Sequence, residues 1–229
     1  MSDEILEASE PVTAEPLRLI PFEDPNLPGF WERVGAMFQL LFAEPFEFFE
    51  RAPRGEGLGA PWRFLLLLSV PALLLLGLIF GIFGAVAIIG ALADRRPEAS
   101  LLALMPVVFL AVLALIPLFM FLGMVVGGAI NHACLWMWGG TRNGLGLEQT
   151  IRATGYAHAF IQLGAWIPYL GLLVQLLGLV WIGIGLARLH RTDTWRGLAA
   201  VFTPILLLCV CLMLALAFIP LALLLAAKS

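Results

Sequence analysis

Side chains able to do chemistry are few in the apolar part of this 229-residue chain, and they gather in two places. Asn131 and His132 close one long apolar run. Tyr156, His158 and Gln162 follow a short polar turn, so a helical hairpin would bring all five toward one membrane edge. Polar groups at such depth are candidates for an ion or proton path, and an imidazole titrates near neutral pH. The competing role is hydrogen bonding between helices, which the absence of an acid beside either histidine favours. The second place is the connector carrying Arg188, Arg191 and Arg196, whose charges can attract anionic lipid at about 1 kcal/mol each. The same charges can simply orient the chain in the membrane.

Metal and catalytic chemistry are not expected. Cys134 lies two positions from His132 and faces another side of a helix, so His132, His158 and Cys134 do not make a ligand set. Cys209 and Cys211 show no metal spacing either and read as small packing residues. There is no Gly-x-Ser-x-Gly, no His-Glu-x-x-His, no phosphate-binding glycine loop and no intramembrane pair of aspartates. The expectation is a protein that is not an enzyme, with no cofactor and no nucleic-acid partner.

The elements that would hold these residues are helices in a membrane. Hydrophobic residues make up 61% and charged residues 13% of the chain, about half the charged share of a soluble domain. Twelve of the 16 acids precede Trp62. Residues 1–29, rich in Glu, Asp and Pro, read as a disordered acidic cytoplasmic tail. From Phe30 the apolar positions Phe30, Val34, Met37 and Leu41 share a helical face, opened by Pro28 and stopped near Pro45. Residues 30–61 are therefore expected to form amphipathic helices lying in the interface, or docked on the spans. Residues 62–229 form the membrane domain. Five spans are expected, about 64–93, 101–131, 153–167, 170–187 and 198–226. Gly77-x-x-x-Gly81 and Gly123-x-x-x-Gly127 would let the first two helices approach closely. Glu148 and Arg152 stand at i, i+4 in a favourable order, and Trp166-Ile167-Pro168-Tyr169 would be an aromatic hairpin tip at the far interface. The fold class is thus an all-α integral membrane protein with five transmembrane helices and an N-terminal amphipathic helix.

Orientation follows from the basic residues near the spans. With the N-terminus inside, Arg51, Arg54, Arg63, Arg142, Arg152, Arg188, Arg191 and Arg196 are cytoplasmic, against Arg95, Arg96 and Lys228 outside. That asymmetry gives N-in and C-out. Arginine outnumbers lysine twelve to one, which suggests a GC-rich genome and a bacterial inner membrane.

The order of motifs resembles the Ypt/Rab-interacting (Yip) domain family of five-span membrane proteins. The residues that carry it are Phe30-Trp31, Pro45-Phe46 and Phe48-Phe49 ahead of the first span, then His132 to Gly139-Gly140. Leu147-Glu148-Gln149-Thr150-Ile151-Arg152 with Tyr156 follows, then Pro168 with Gly171, and Trp181 before the His190 connector. The resemblance implies a cytoplasmic N-terminus, five helical spans and a non-catalytic adaptor or organiser that binds protein partners or membrane lipids. In eukaryotic members it implies the early secretory pathway, vesicle traffic and a small Rab-type GTPase as partner. Bacterial relatives lack that machinery. The rival reading is a small transporter or channel, and a homo- or hetero-oligomer fits either.

Overall fold

A computed structural model of the chain describes residues 19–94, 99–141, 145–164 and 170–226. The expected tail over 1–18, the linker charges Arg95 and Arg96, Arg142, the aromatic tip at 165–169 and Lys228 lie outside the described residues. Those described are helical throughout apart from turns. The order is α1 (Phe30–Ala43), α2 (Pro45–Arg51), a 3-10 turn (Ala52–Arg54), α3 (Gly59–Asp94), α4 (Ala99–Met137), α5 (Leu147–Gly164), α6 (Leu170–Leu189) and α7 (Thr194–Ala226).

Among the described residues, four segments are long and apolar enough to cross a membrane: Gly59–Gly90, Val108–Met137, Gly171–Leu189 and Thr194–Ile219. The outer halves of α3, α4 and α7 expose Leu, Ile, Val and Phe side chains from Leu74 to Ile89, Val108 to Leu122 and Ile205 to Ile219. In water such surface would drive aggregation, whereas lipid is its natural solvent. The chain is a multi-pass integral membrane protein.

The third expected span, 153–167, falls on α5 as far as Gly164 and is not among these four segments. α5 is the hub of the bundle: ten of its 18 residues are buried, and it packs against α3, α4, α6 and the 3-10 turn. A helix ringed by protein has no need of an apolar exterior, so α5 keeps its threonines, Arg152 and Tyr156. It runs antiparallel to α6. Gly164 meets Val174 and Gly178 meets Ile161, with the α5 position falling as the α6 position rises.

Close helix approaches occur at glycines other than those with the expected spacing. A methyl group added at Gly77, Gly81, Gly123 or Gly127 would meet nothing within 4 Å. The contacts lie elsewhere: one at Gly128, the residue after Gly127, would come within 2.8 Å of Ile151, one at Gly185 within 2.2 Å of Phe49, and one at Gly197 within 2.1 Å of the Gly183 carbonyl. The spacing of small residues therefore did not identify the contact face, because apolar spans carry glycine on their lipid faces as well.

The N-terminal part is more ordered than its composition suggests. Within 19–29 Ile20 is fully buried, and the Glu23 amide donates to the Ile20 carbonyl at 2.9 Å. The Asp24 carboxylate accepts from the Asn26 amide at 2.9 Å, closing a local turn. α1 begins after Gly29, whose amide donates to the Glu32 carboxylate at 3.3 Å, and its Val34, Met37, Leu40 and Leu41 are buried. α2 buries Phe48 and Phe49 beside Trp181 of α6. Phe38 meets Phe160 of α5 edge-on at 5.1 Å. Of the two placements open for the amphipathic helices, this face is docked on the protein. Trp31 and Phe42 remain exposed on the other side.

Candidate functional site

The first three turns of α5 gather the polar chemistry. Arg152 sits on its inward face and is 0% exposed. Its Nε donates to the Ala52 carbonyl at 3.3 Å, Nη1 to the Gly57 carbonyl and Nη2 to the Glu23 carboxylate. The same carboxylate oxygen accepts from the Tyr156 hydroxyl at 2.5 Å. One turn earlier Glu148 accepts from the Gly57 amide at 2.7 Å. Glu148 and Arg152 thus do not pair along the helix. The first holds the loop after the 3-10 turn, and the second holds that loop together with the N-terminal segment. A buried guanidinium is tolerable only with its charge matched and its nitrogens hydrogen-bonded; here Glu23 matches the charge and each of the three nitrogens donates one hydrogen bond.

A second group lies beside the first. His132 Nδ1 and His190 Nε2 each stand 2.9 Å from the Thr150 hydroxyl, and the two rings are 5.8 Å apart. Thr150 Oγ has one proton and also lies 3.4 Å from the Gly146 carbonyl. Two neutral imidazoles therefore join through Thr150 with one ring as acceptor and the other as donor, unless the hydroxyl turns to Gly146 and both rings donate. Burial first, and the charge of His132 second, hold the His190 imidazole below its ordinary range, at about 4.

The five polar residues expected to converge are engaged in different groups. His132 joins Thr150 and His190, while Tyr156 joins Glu23 and Arg152. His158 Nδ1 turns back on its own helix to the Thr154 carbonyl at 3.0 Å. Asn131 is buried, and Gln162 is half-buried one helical turn past His158. The three connector arginines also differ. Arg188 lies over the Phe46 ring at 4.8 Å, and Arg191 is exposed at φ 47°. Arg196 donates to the Gly139 carbonyl at 2.8 Å and pairs with Asp193 at 3.2 Å.

Glu23, Thr150 and His190 are the partners that reading along the sequence missed. A signal existed for the first. Ile20 and Phe22 precede a Glu-Asp-Pro-Asn turn at 23–26, a pattern of folded loops more than of solvated tails. Among the described residues no group of three His, Cys, Asp or Glu could hold a metal ion. Cys209 and Cys211 are exposed on α7.

Comparison with known proteins gives one match: a family model for the Yip1 domain covers residues 38–217, well over half of the chain and all of α2 through α6. No curated protein and no solved structure matches.

Proposed function

The chain belongs to the Yip1 domain family, and from that premise we propose that it acts without catalysis, as a membrane-embedded adaptor that presents its N-terminal helices to a partner at the cytoplasmic face. The observation that carries this is the use made of its buried charge. Glu23, Arg152 and Tyr156 fasten the N-terminal segment and the 3-10 loop to the central helix. α1 and α2 are seated alongside, with Phe30, Trp31, Phe42 and Phe46 left exposed. The buried charges are taken up in holding structure, and aromatic side chains with little rotamer entropy are left outward, the composition that partner surfaces favour.

α5 serves as the third of five spans. At about 1.5 Å per residue its 18 residues reach about 27 Å, close to the roughly 30 Å hydrocarbon core, and it lies antiparallel to α6. Five spans and the eight-to-three excess of basic residues give a cytoplasmic N-terminus and an external C-terminus. The arginine bias favours a bacterial inner membrane. A eukaryotic setting would instead make a Rab-type GTPase and vesicle traffic the natural context.

The test is a photo-crosslinking residue at Trp31 or Phe42 in native membranes, followed by mass spectrometry, beside flux measurements on the protein in liposomes. The expected result is a discrete crosslinked protein and no flux. A proton- or ion-coupled flux that disappears in His132→Ala at unchanged stability would establish the transporter reading in its place.

A further inference from the structure

One open groove of about 1050 Å³ lies where the end of α2, the 3-10 turn, the start of α5 and the α6–α7 turn meet. Its size is near the upper end of the roughly 300–1,000 Å³ usual for small-molecule sites. Its wall carries both signs of charge. Arg54, Arg188 and Arg191 face Glu50 and Asp193, with Gln149 at the α5 side.

Two of the arginines are held in ways that favour a ligand. The Arg188 guanidinium is stacked on the Phe46 ring at 4.8 Å. Stacking occupies the face of the plane and leaves its edge N–H groups directed outward, the geometry that grips a phosphate in bidentate fashion. Arg191 is more telling. Its φ of 47° is the only positive value among the described non-glycine residues. It ends α6 at a left-handed cap, with the Thr192 amide donating back to the Ala187 carbonyl at 2.9 Å. Glycine is the usual residue at this position because a side chain is strained there. The equivalent cap of α4 is Gly139, with φ 67°. An exposed arginine in the strained conformation, beside a groove, is the pattern of a residue kept for its side chain.

The acids decide the ligand. Asp193 is engaged by Arg196 at 3.2 Å, which leaves Glu50 as the carboxylate a bound group would meet. A purely anionic ligand would set its charge against Glu50, whereas a phosphate bearing an amine uses both signs. The groove lies beside the exposed Phe46 at the ends of the apolar helices, where lipid headgroups sit. We propose that this groove binds the phosphoethanolamine headgroup of a membrane phospholipid, its phosphate on Arg188 and Arg191 and its ammonium toward Glu50. The proposal deepens the adaptor reading by naming a ligand for the same face, and it rests on that reading only for the face lying at headgroup level.

The test is native mass spectrometry of the full chain released from an equimolar mixture of phosphatidylethanolamine, phosphatidylglycerol and phosphatidylcholine. The expected result is retained phosphatidylethanolamine, its occupancy falling about fivefold for each guanidinium removed in Arg188→Gln and Arg191→Gln. Arg191→Gly provides the control for folding: it should raise the melting temperature, by relieving the cap, while lowering lipid retention. Glu50→Gln should abolish the preference over phosphatidylglycerol without loss of total lipid. Retention that is equal for the three lipids, or unchanged in Arg191→Gly, would overturn the proposal. Displacement of the lipid by millimolar inorganic phosphate would assign the groove to a soluble phosphate and overturn the lipid as ligand. Neither outcome bears on whether Trp31 or Phe42 crosslinks to a protein, so the two readings fail separately.

Discussion

Replacing Glu23 with Gln keeps the shape of the side chain and one acceptor oxygen, but it removes the charge that matches Arg152. The guanidinium is 0% exposed and the Glu23 side chain 13%, so the unmatched cation would have little water to turn to. Removing one partner of a buried ion pair costs about 3–5 kcal/mol, and the slight exposure of Glu23 places the expected loss near 3 kcal/mol. Tyr156→Phe removes only the 2.5 Å hydrogen bond to the carboxylate and should cost about 1.5–3 kcal/mol. Replacing both charges, as Glu23→Leu with Arg152→Met, should recover part of the loss, because no charge is then stranded. Its recovery is limited by the Ala52 and Gly57 carbonyls, which lose their donor. Equilibrium unfolding in mixed micelles gives the magnitude, and amide hydrogen exchange gives the place. Protection should fall over residues 19–29 and 52–58 before it falls in α3 or α7. If Glu23→Gln unfolds like the parent and residues 19–29 keep their protection, the pair does not hold the N-terminal segment and the argument fails.

Acidification should destabilise the protein through His190. Its folded value of about 4 lies below the ordinary 6.5, so the unfolded chain binds the extra proton. Stability from this group is complete above about pH 6.5 and is lost as pH falls toward 4, by about 1–3 kcal/mol, and His190→Gln should flatten that part of the pH–stability curve. Thr150→Val, which severs both 2.9 Å contacts to the histidines, should lower stability by about 0.6–2 kcal/mol in the same unfolding assay and leave liposome flux at background. Gly197→Ala should cost about 1–3 kcal/mol because the new methyl group meets the Gly183 carbonyl and the Ala187 amide, while Gly77→Ala on an open face should be near neutral. For topology, a thiol introduced at Glu56 should react only from inside and one at Ala93 only from outside, and the reverse labelling pattern would overturn the N-in orientation.

Local physics determined much of this protein from its sequence alone. Long uncharged runs can only be helices in lipid, so α3, α4, α6 and α7 were legible from composition and length. The 3.6-residue period from Phe30 to Leu41 marked α1, and Val34, Met37 and Leu41 are buried as expected, while Phe30, at the first turn of the same face, is exposed. Family membership was legible too, from the order of short motifs between Phe30 and His190. Tertiary structure decided the rest, for two reasons. Hydropathy reports the solvent a helix faces, and α5 faces protein, so its burial left no apolar signature. Charge pairing reports distance in space: Arg152 meets a carboxylate 129 residues earlier, passing over Glu148 one turn away. The same holds for Thr150, which spacing marks as an ordinary helix residue and which packing places between His132 and His190. Which glycines meet a neighbour, and which arginine ends a helix in a strained turn, depend on how the helices cross, and that is set by the packed bundle as a whole.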